Sequence, residues 1–269
     1  MKHAEQRKSL LTKYTDLVKE NALQFDRKQV NLLTELEKFA IQLENQSLGK
    51  NEATLFKNIF KPSLRKYFVK GFYIHGGVGR GKTMLMDLFY NHVKIGSKKR
   101  VHFYGFMKDV HNAIRIARKE RIADPLESVV SNIFKDLTLI CFDEMQISDI
   151  TDAMLIGRLF EKITARKVSF VCTSNRKPND LYKDGLNRQL FLPFIKLLEE
   201  KLNIYELNSK KDYRRDLLGG EKKFFLTSEP NSANDFYALW ESMTEGSISS
   251  EFEISLGTRN LLLPNFVNG

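Results

Sequence analysis

The sequence predicts an α/β domain built on a parallel sheet, and three observations carry that prediction. Short apolar runs without alternation recur from residue 71 onward, as strands covered on both faces require. Amphipathic stretches long enough for crossover helices separate them. A glycine-rich loop, Gly76-Gly77-Val78-Gly79-Arg80-Gly81-Lys82-Thr83, joins the first run to an apolar helix over 84–92.

Taken in order, residues 7–46 read as two helices. Leu10, Leu11, Tyr14, Leu17 and Val18 recur at helical spacing, as do Val30, Leu33, Leu36, Phe39, Ile41 and Leu43. Asn21–Asp26 breaks the two, and Asp26 suits the cap of the second. Residues 47–70 are polar and mixed and read as a connector. The predicted strands are 72–75, 101–104, 137–142, 168–173 and 204–207; helices are predicted over 108–118, 152–164 and 187–202. Beyond Asp216 the pattern weakens, with a helix over 236–243 and one or two strands over 251–263. The predicted organisation is therefore a helical segment and connector (1–70), an α/β core (71–218) and the start of a C-terminal region (219–269).

Composition agrees with a folded chain. The 269 residues are 42% hydrophobic and 28% charged, enough for a core and against a disordered tail. No window approaches the roughly 18–20 apolar residues of a membrane span. The N-terminus lacks the apolar core of a signal peptide, so an unexported, cytoplasmic protein is expected. Cys141 and Cys172, each inside an apolar run, are expected as buried thiols rather than a disulfide. The net charge of +10 is uneven: residues 1–70 carry 14 basic and 8 acidic side chains, 94–121 carry 9 and 2, and 221–269 carry 3 and 7. A solvated lysine-rich surface is the favoured reading of this excess. Nucleic acid and an anionic membrane surface are the alternatives that it leaves open.

The chemistry concentrates in three places. Gly76–Thr83 fits G-x-x-x-x-G-K-[ST] at every fixed position. Its glycines let backbone N–H groups wrap phosphate oxygens, Lys82 reaches the β- and γ-phosphates, and the Thr83 hydroxyl ligates Mg²⁺. The run 137–142 ends in Asp143-Glu144. Two acids at a strand's carboxyl end lie where open α/β sheets bind ligands. Asp143 is the candidate to hold Mg²⁺ and Glu144 the base that activates water. The next run ends in Thr173-Ser174-Asn175, making Asn175 the candidate to orient that water; an ordinary turn-starting Asn is the plainer reading. A guanine site would need N-K-x-D, but Asn175 is followed by Arg176-Lys177-Pro178. The order of P-loop, acid pair, polar strand tip and late arginine fits an ATPase of the ring-forming AAA+ kind, assembling as a homo-oligomer with ATP bound. Arg188, at the start of a predicted helix, is the arginine-finger candidate, against a surface or helix-end role.

These residues also resemble one family. Besides 76–83, the motifs are Val101-His102-Phe103, Cys141–Gln146, Thr173–Arg176, Asp180–Leu186, Arg188, Phe191–Phe194 and Asp212-Tyr213-Arg214. Together they are similar to the ZapE cell-division AAA+ ATPases and their mitochondrial relatives. The resemblance implies ATP hydrolysis with Mg²⁺ and association with the division ring through FtsZ, at the division site near the inner membrane. The mitochondrial relatives imply quality control of inner-membrane proteins. Met145 stands where the family has an aromatic residue. Family members continue past the position of Gly269, so 219–269 is expected to be a shortened C-terminal region.

Other features are weaker. Tyr104-Gly105-Phe106 lies where translocating AAA+ proteins carry a pore loop, but packing of Phe106 and Met107 under the next helix is favoured. The basic face of Arg115, Arg118, Lys119 and Arg121 is read as solvated, with phosphates or anionic lipid as alternatives. His75, His102 and His111 are too dispersed for a metal site. Remodelling of a protein partner, a helicase-loader-like role on nucleic acid, and a nucleotide-binding scaffold that hydrolyses little are the functions left in competition.

Overall fold

The computed structural model describes residues 7–20, 23–55, 68–208, 232–244, 250–256 and 259–266. The chain divides into two compact units, Met1–Arg214 and Arg215–Gly269. In the first, α1 (Leu10–Lys19) and α2 (Arg27–Leu55) precede β1 (Gly71–His75) and α3 (Lys82–His92). Then come β2 (Lys98–His102), α4 (Phe103–Lys119), α5 (Pro125–Phe134), β3 (Leu139–Asp143), α6 (Ile150–Ala165) and β4 (Ser169–Ser174). Two 3-10 turns, Pro178–Asp180 and Arg188–Leu190, lead into α7 (Leu192–Lys201) and β5 (Leu202–Glu206). The strands form one parallel sheet in the order β2-β3-β4-β1-β5.

The period-two geometry of a strand splits the core between two faces. Phe72 and Ile74 of β1, Leu139 and Cys141 of β3 and Val171 of β4 pack with α1, α2 and α3. Tyr73, Ile140, Phe142, Phe170 and Cys172 point the other way, into α4–α7. That second face is aromatic: Phe160 meets Phe170 edge-on at 4.7 Å and Phe194 at 5.2 Å. The N-terminal helices are thus one of the layers that cover the sheet. Asp26 does cap α2, its Oδ1 accepting from the Lys28 N–H at 2.7 Å.

The main differences from the sequence reading lie at α2, at the junction of β2 and α4, at α7 and at α5. Helix α2 runs on to Leu55, into the stretch read as connector, even though Gly49 and Asn51 are poor helix formers. Strand β2 occupies 98–102 rather than 101–104. It lies at the sheet edge and carries cations, so apolarity did not mark it, while Phe103 begins α4 and packs on Phe142 at 5.9 Å. Helix α7 starts at Leu192, with Pro193 in its first turn, not at 187. Helix α5, capped by Asp124, falls in a stretch with no predicted element. Cys141 and Cys172 are buried free thiols, both pushed well above the ordinary thiol range by burial.

In the second unit, α8 (Ser232–Thr244) is followed by an antiparallel hairpin, β6 (Ser250–Leu256) and β7 (Arg259–Phe266). These answer to the helix and strands expected over 236–243 and 251–263. Asp212-Tyr213-Arg214 and Arg215 lie outside the described residues.

Candidate active site

The first half of the site is backbone. Gly76 follows β1 and enters between the ends of β4 and β5, its N–H donating to Ser174 O at 3.3 Å. A Cβ on Gly76 would stand 2.2 Å from the Leu207 carbonyl oxygen, so only glycine fits. Gly81 adopts φ +79°, in the left-handed region, and caps α3. Helices α5 and α6 open with Asp side chains that satisfy first-turn N–H groups, whereas the N-cap of α3 offers no side chain. The first N–H groups of α3 thus open onto the loop, the arrangement that receives an anion. Lys82 is buried, and its Nζ donates to the carbonyls of Gly76 and Gly77, both at 2.7 Å. Thr83 is exposed beside it.

The second half is assembled from side chains on neighbouring strands. Asp143, the last residue of β3, is 3% exposed. Its Oδ2 accepts from Arg100 Nε of β2 at 2.6 Å, and its Oδ1 accepts a longer bond, 3.4 Å, from Thr173 Oγ1 of β4. Arg100 also pairs with Asp87 of α3. Burial works against the Arg100 charge, but the two carboxylates outweigh it and hold the guanidinium above its ordinary value. Glu144 has φ +54°, and its N–H donates to Thr173 Oγ1 at 3.0 Å. Such a backbone costs a non-glycine residue about 1–3 kcal/mol and persists where the surroundings impose it. Met145 N–H to Thr173 O at 2.7 Å and Ser174 Oγ to Met145 O at 2.7 Å complete the clamp between the two strand tips.

A cavity of about 380 Å³ at these tips is lined by Asp143, Glu144, Asn175 and Arg176, with Tyr104 across from them at the start of α4. Three predicted site residues thus meet in one cavity. The phosphate loop lies one strand over, tied by Gly76 to Ser174, the residue before Asn175. Arg188 sits elsewhere: its guanidinium donates to Leu181 O at 2.7 Å and Asn179 O at 2.6 Å, closing the turn after β4. Tyr104 is 80% exposed, whereas Phe106 and Met107 are buried, the packing favoured from sequence.

Sequence reasoning missed three residues of this neighbourhood. Arg100 was counted only within a basic run, and Thr173 only as part of a motif. Gln29, on α2, donates through Nε2 to Arg80 O at 3.1 Å, joining the N-terminal layer to the phosphate loop. The one signal that could have singled out Arg100 is its place two residues before the end of an edge strand that pairs with the acidic strand.

A glycine cradle before a helix with no side-chain N-cap, with a buried acid and an exposed acid on nearby strand tips, is the arrangement of a P-loop ATPase domain. The chain belongs to the AFG1-like ATPase family, whose model matches residues 8–269. It is 45% identical over 184 residues to lactation elevated protein 1 homolog B of Danio rerio, covering 65% of this chain and 37% of that protein. It is 35% identical over 193 residues to the cell division protein ZapE of Escherichia coli K12, covering 72% of this chain and 51% of that protein. The match thus spans about half the length of these curated relatives or less. Among solved structures, AMPPCP-bound DnaA from Aquifex aeolicus aligns with a TM-score of 0.46 at 15% identity, over 84% of this chain and 65% of that chain.

Proposed function

We propose that the chain hydrolyses ATP with Mg²⁺ and couples turnover to the regulation or remodelling of a protein partner. The observation that carries this is the joining of the two halves: Gly76 bonds to Ser174 O, which brings the phosphate loop beside the cavity shared by Asp143, Glu144 and Asn175.

The residues fit Mg·ATP. Open N–H groups at α3 and the buried Lys82 suit the phosphates, and Thr83 with Asp143 would hold the metal. Mg²⁺ would neutralise charge building on the phosphate oxygens. Glu144, exposed at the cavity, takes the proton of the attacking water, and Asn175 orients that water. Arg188 is proposed to act from a neighbouring subunit of a homo-oligomer, which requires it to leave the two carbonyls it now holds. ATP is favoured over GTP, because the base has no Asn-Lys-x-Asp acceptor pair to meet.

Similarity to ZapE supports FtsZ, or another division-ring protein, as partner and the cytoplasmic side of the division site as location. The test is ATP turnover per subunit against protein concentration, with and without FtsZ polymers. A rate that rises with concentration and again with polymer supports the reading. A rate stimulated by single-stranded DNA and indifferent to FtsZ replaces it with a nucleic-acid role.

A further inference from the structure

Away from the nucleotide site, helices α4 and α6 enclose a groove of about 730 Å³. Its floor is apolar: Ile114 from α4, Met154 and Leu155 from α6. Met154 is 37% exposed, although its neighbours Ala153 and Ile156 on the same helix are buried. The rim is cationic, with Arg115, Arg118 and Lys119 on α4 and Arg158 on α6, all exposed. On each helix the lining positions recur at three to four residues, so each presents one continuous face to the groove. A hydrogen bond from His111 Nε2 to Asp152 Oδ1, 2.7 Å, pins the two helices together at one end.

Among the described residues, the ion pairs of α4 and α6 are His111–Asp152 and Lys162 with Asp124 and Glu127. The four rim cations take part in none of them. Asp152, at one end of the groove, is thus already engaged, and among the described residues the four rim cations stand around the apolar floor with no ion-pair partner.

The geometry points to a docking site for an acidic, amphipathic helical segment of a protein partner. Carboxylates flanking an apolar stripe match the rim and floor together, and charge complementarity of this kind steers encounter and fixes register. Nucleic acid fits less well, because no Phe, Tyr or Trp is among the lining residues to stack a base, and the one ring there, His111, is held by Asp152. A membrane fits less well too, because the apolar surface is recessed behind charged side chains, whereas membrane-binding helices project theirs into the bilayer. Both walls are helices and offer no strand edge to extend, so a helix laid in the groove is the matching shape. The lining of α4 spans His111 to Lys119, roughly 12 Å at 1.5 Å per residue, which admits about two turns of a partner with anchors at i, i+3 or i+4, and i+7.

The test begins with a phage-displayed library of helix-biased peptides selected on the full chain. Enriched peptides are then synthesised with a fluorophore and titrated by anisotropy. The expected winners are acidic and carry apolar residues at helical spacing. Their affinity falls at least about tenfold against the Arg115→Glu/Arg158→Glu double variant, and also against Met154→Asp. Mg·ATP affinity in both variants stays at the wild-type value, showing that the domain is folded. The milder Arg115→Gln/Arg158→Gln variant should lie between. Peptides that bind the charge-reversed chain as tightly as the wild type overturn the proposal, as does a selection with no enrichment. Oligo-dT or phosphatidylserine-rich vesicles binding more tightly than any peptide, and losing that binding on charge reversal, reassign the groove to phosphates. Dissociation of a wild-type oligomer by the same reversal reassigns it to contact between copies of this chain.

Discussion

The two halves of the proposed nucleotide site are built in opposite ways. The phosphate-loop half is consecutive sequence: eight residues whose glycine dihedrals, with α3 behind them, set where N–H groups point. The strand-tip half is gathered from β2, β3 and β4, where Arg100, Asp143, Glu144 and Thr173 stand together because parallel register aligns their strands. Local chemistry makes the first half, and tertiary pairing makes the second. Substitutions in the loop should therefore act on binding, while substitutions at the tips should act on turnover or on the clamp that holds the tips.

The largest expected effect breaks the loop half. Lys82→Ala removes the buried amine at the loop, and losing one partner of a charge-assisted contact costs about 2–5 kcal/mol, roughly 30- to several-thousand-fold in affinity. Calorimetric titration with Mg·ATP checks it; a variant that binds ATP as the wild type does would remove the phosphate-loop assignment. Glu144→Gln breaks the other half alone. It removes the proposed base without removing a phosphate contact, so turnover should fall about 10²–10⁴-fold. Nucleotide affinity should hold. If affinity and turnover fall together, the φ +54° turn at Glu144 serves structure rather than chemistry.

The same division explains what the sequence made legible. The central strands β1, β3 and β4 are buried on both faces and so read as continuous apolar runs, and the glycine loop is local by construction. Strand β2 was displaced in the reading because its first three residues are Lys98, Lys99 and Arg100. The structure shows how such a strand survives: Lys98 lays its ammonium over the Tyr90 ring at 4.6 Å and donates to Tyr90 O and Val93 O. Arg100 and Gln29 act on partners 43 and 51 residues away, Asp143 and Arg80, so no local pattern could assign them. Helix α5 is only ten residues long and falls where the sequence reading places no element.

Arg188→Ala sharpens the comparison, since Arg188 belongs to neither half within one chain. Its guanidinium satisfies two carbonyls, and hydrogen bonds from a charged group contribute about 1.5–3 kcal/mol, so some loss of stability is expected on thermal unfolding. A finger acting in trans adds a second signature: normal ATP binding with poor turnover, recovered when Arg188→Ala is mixed with Glu144→Gln. In such an assembly some sites pair an intact Glu144 with a neighbour's intact Arg188. No recovery, in mixtures shown to co-assemble, leaves Arg188 with its turn-closing role alone.

The smallest expected effect concerns Gln29, which links the N-terminal layer to the loop half. Its Nε2 bonds to Arg80 O, while its Oε1 is buried with no hydrogen-bond partner among the described residues. Gln29→Ala loses one bond of about 0.5–1.5 kcal/mol, and removing the unsatisfied oxygen offsets part of that loss. Net stability should therefore change by about 1 kcal/mol or less. The side chain also abuts the loop at Gly81, where an added Cβ would meet Gln29 Nε2 at 2.8 Å. Removing it leaves Gly79 and Gly81 freer to leave their positive-φ conformations, so Mg·ATP affinity should weaken by up to about fivefold through the ordering the loop must then undergo on binding. Hydrogen exchange at the loop amides would rise in the same variant. An unchanged affinity with faster exchange would show that the loop half holds its binding geometry by local sequence alone, and that α2 braces it without tuning it.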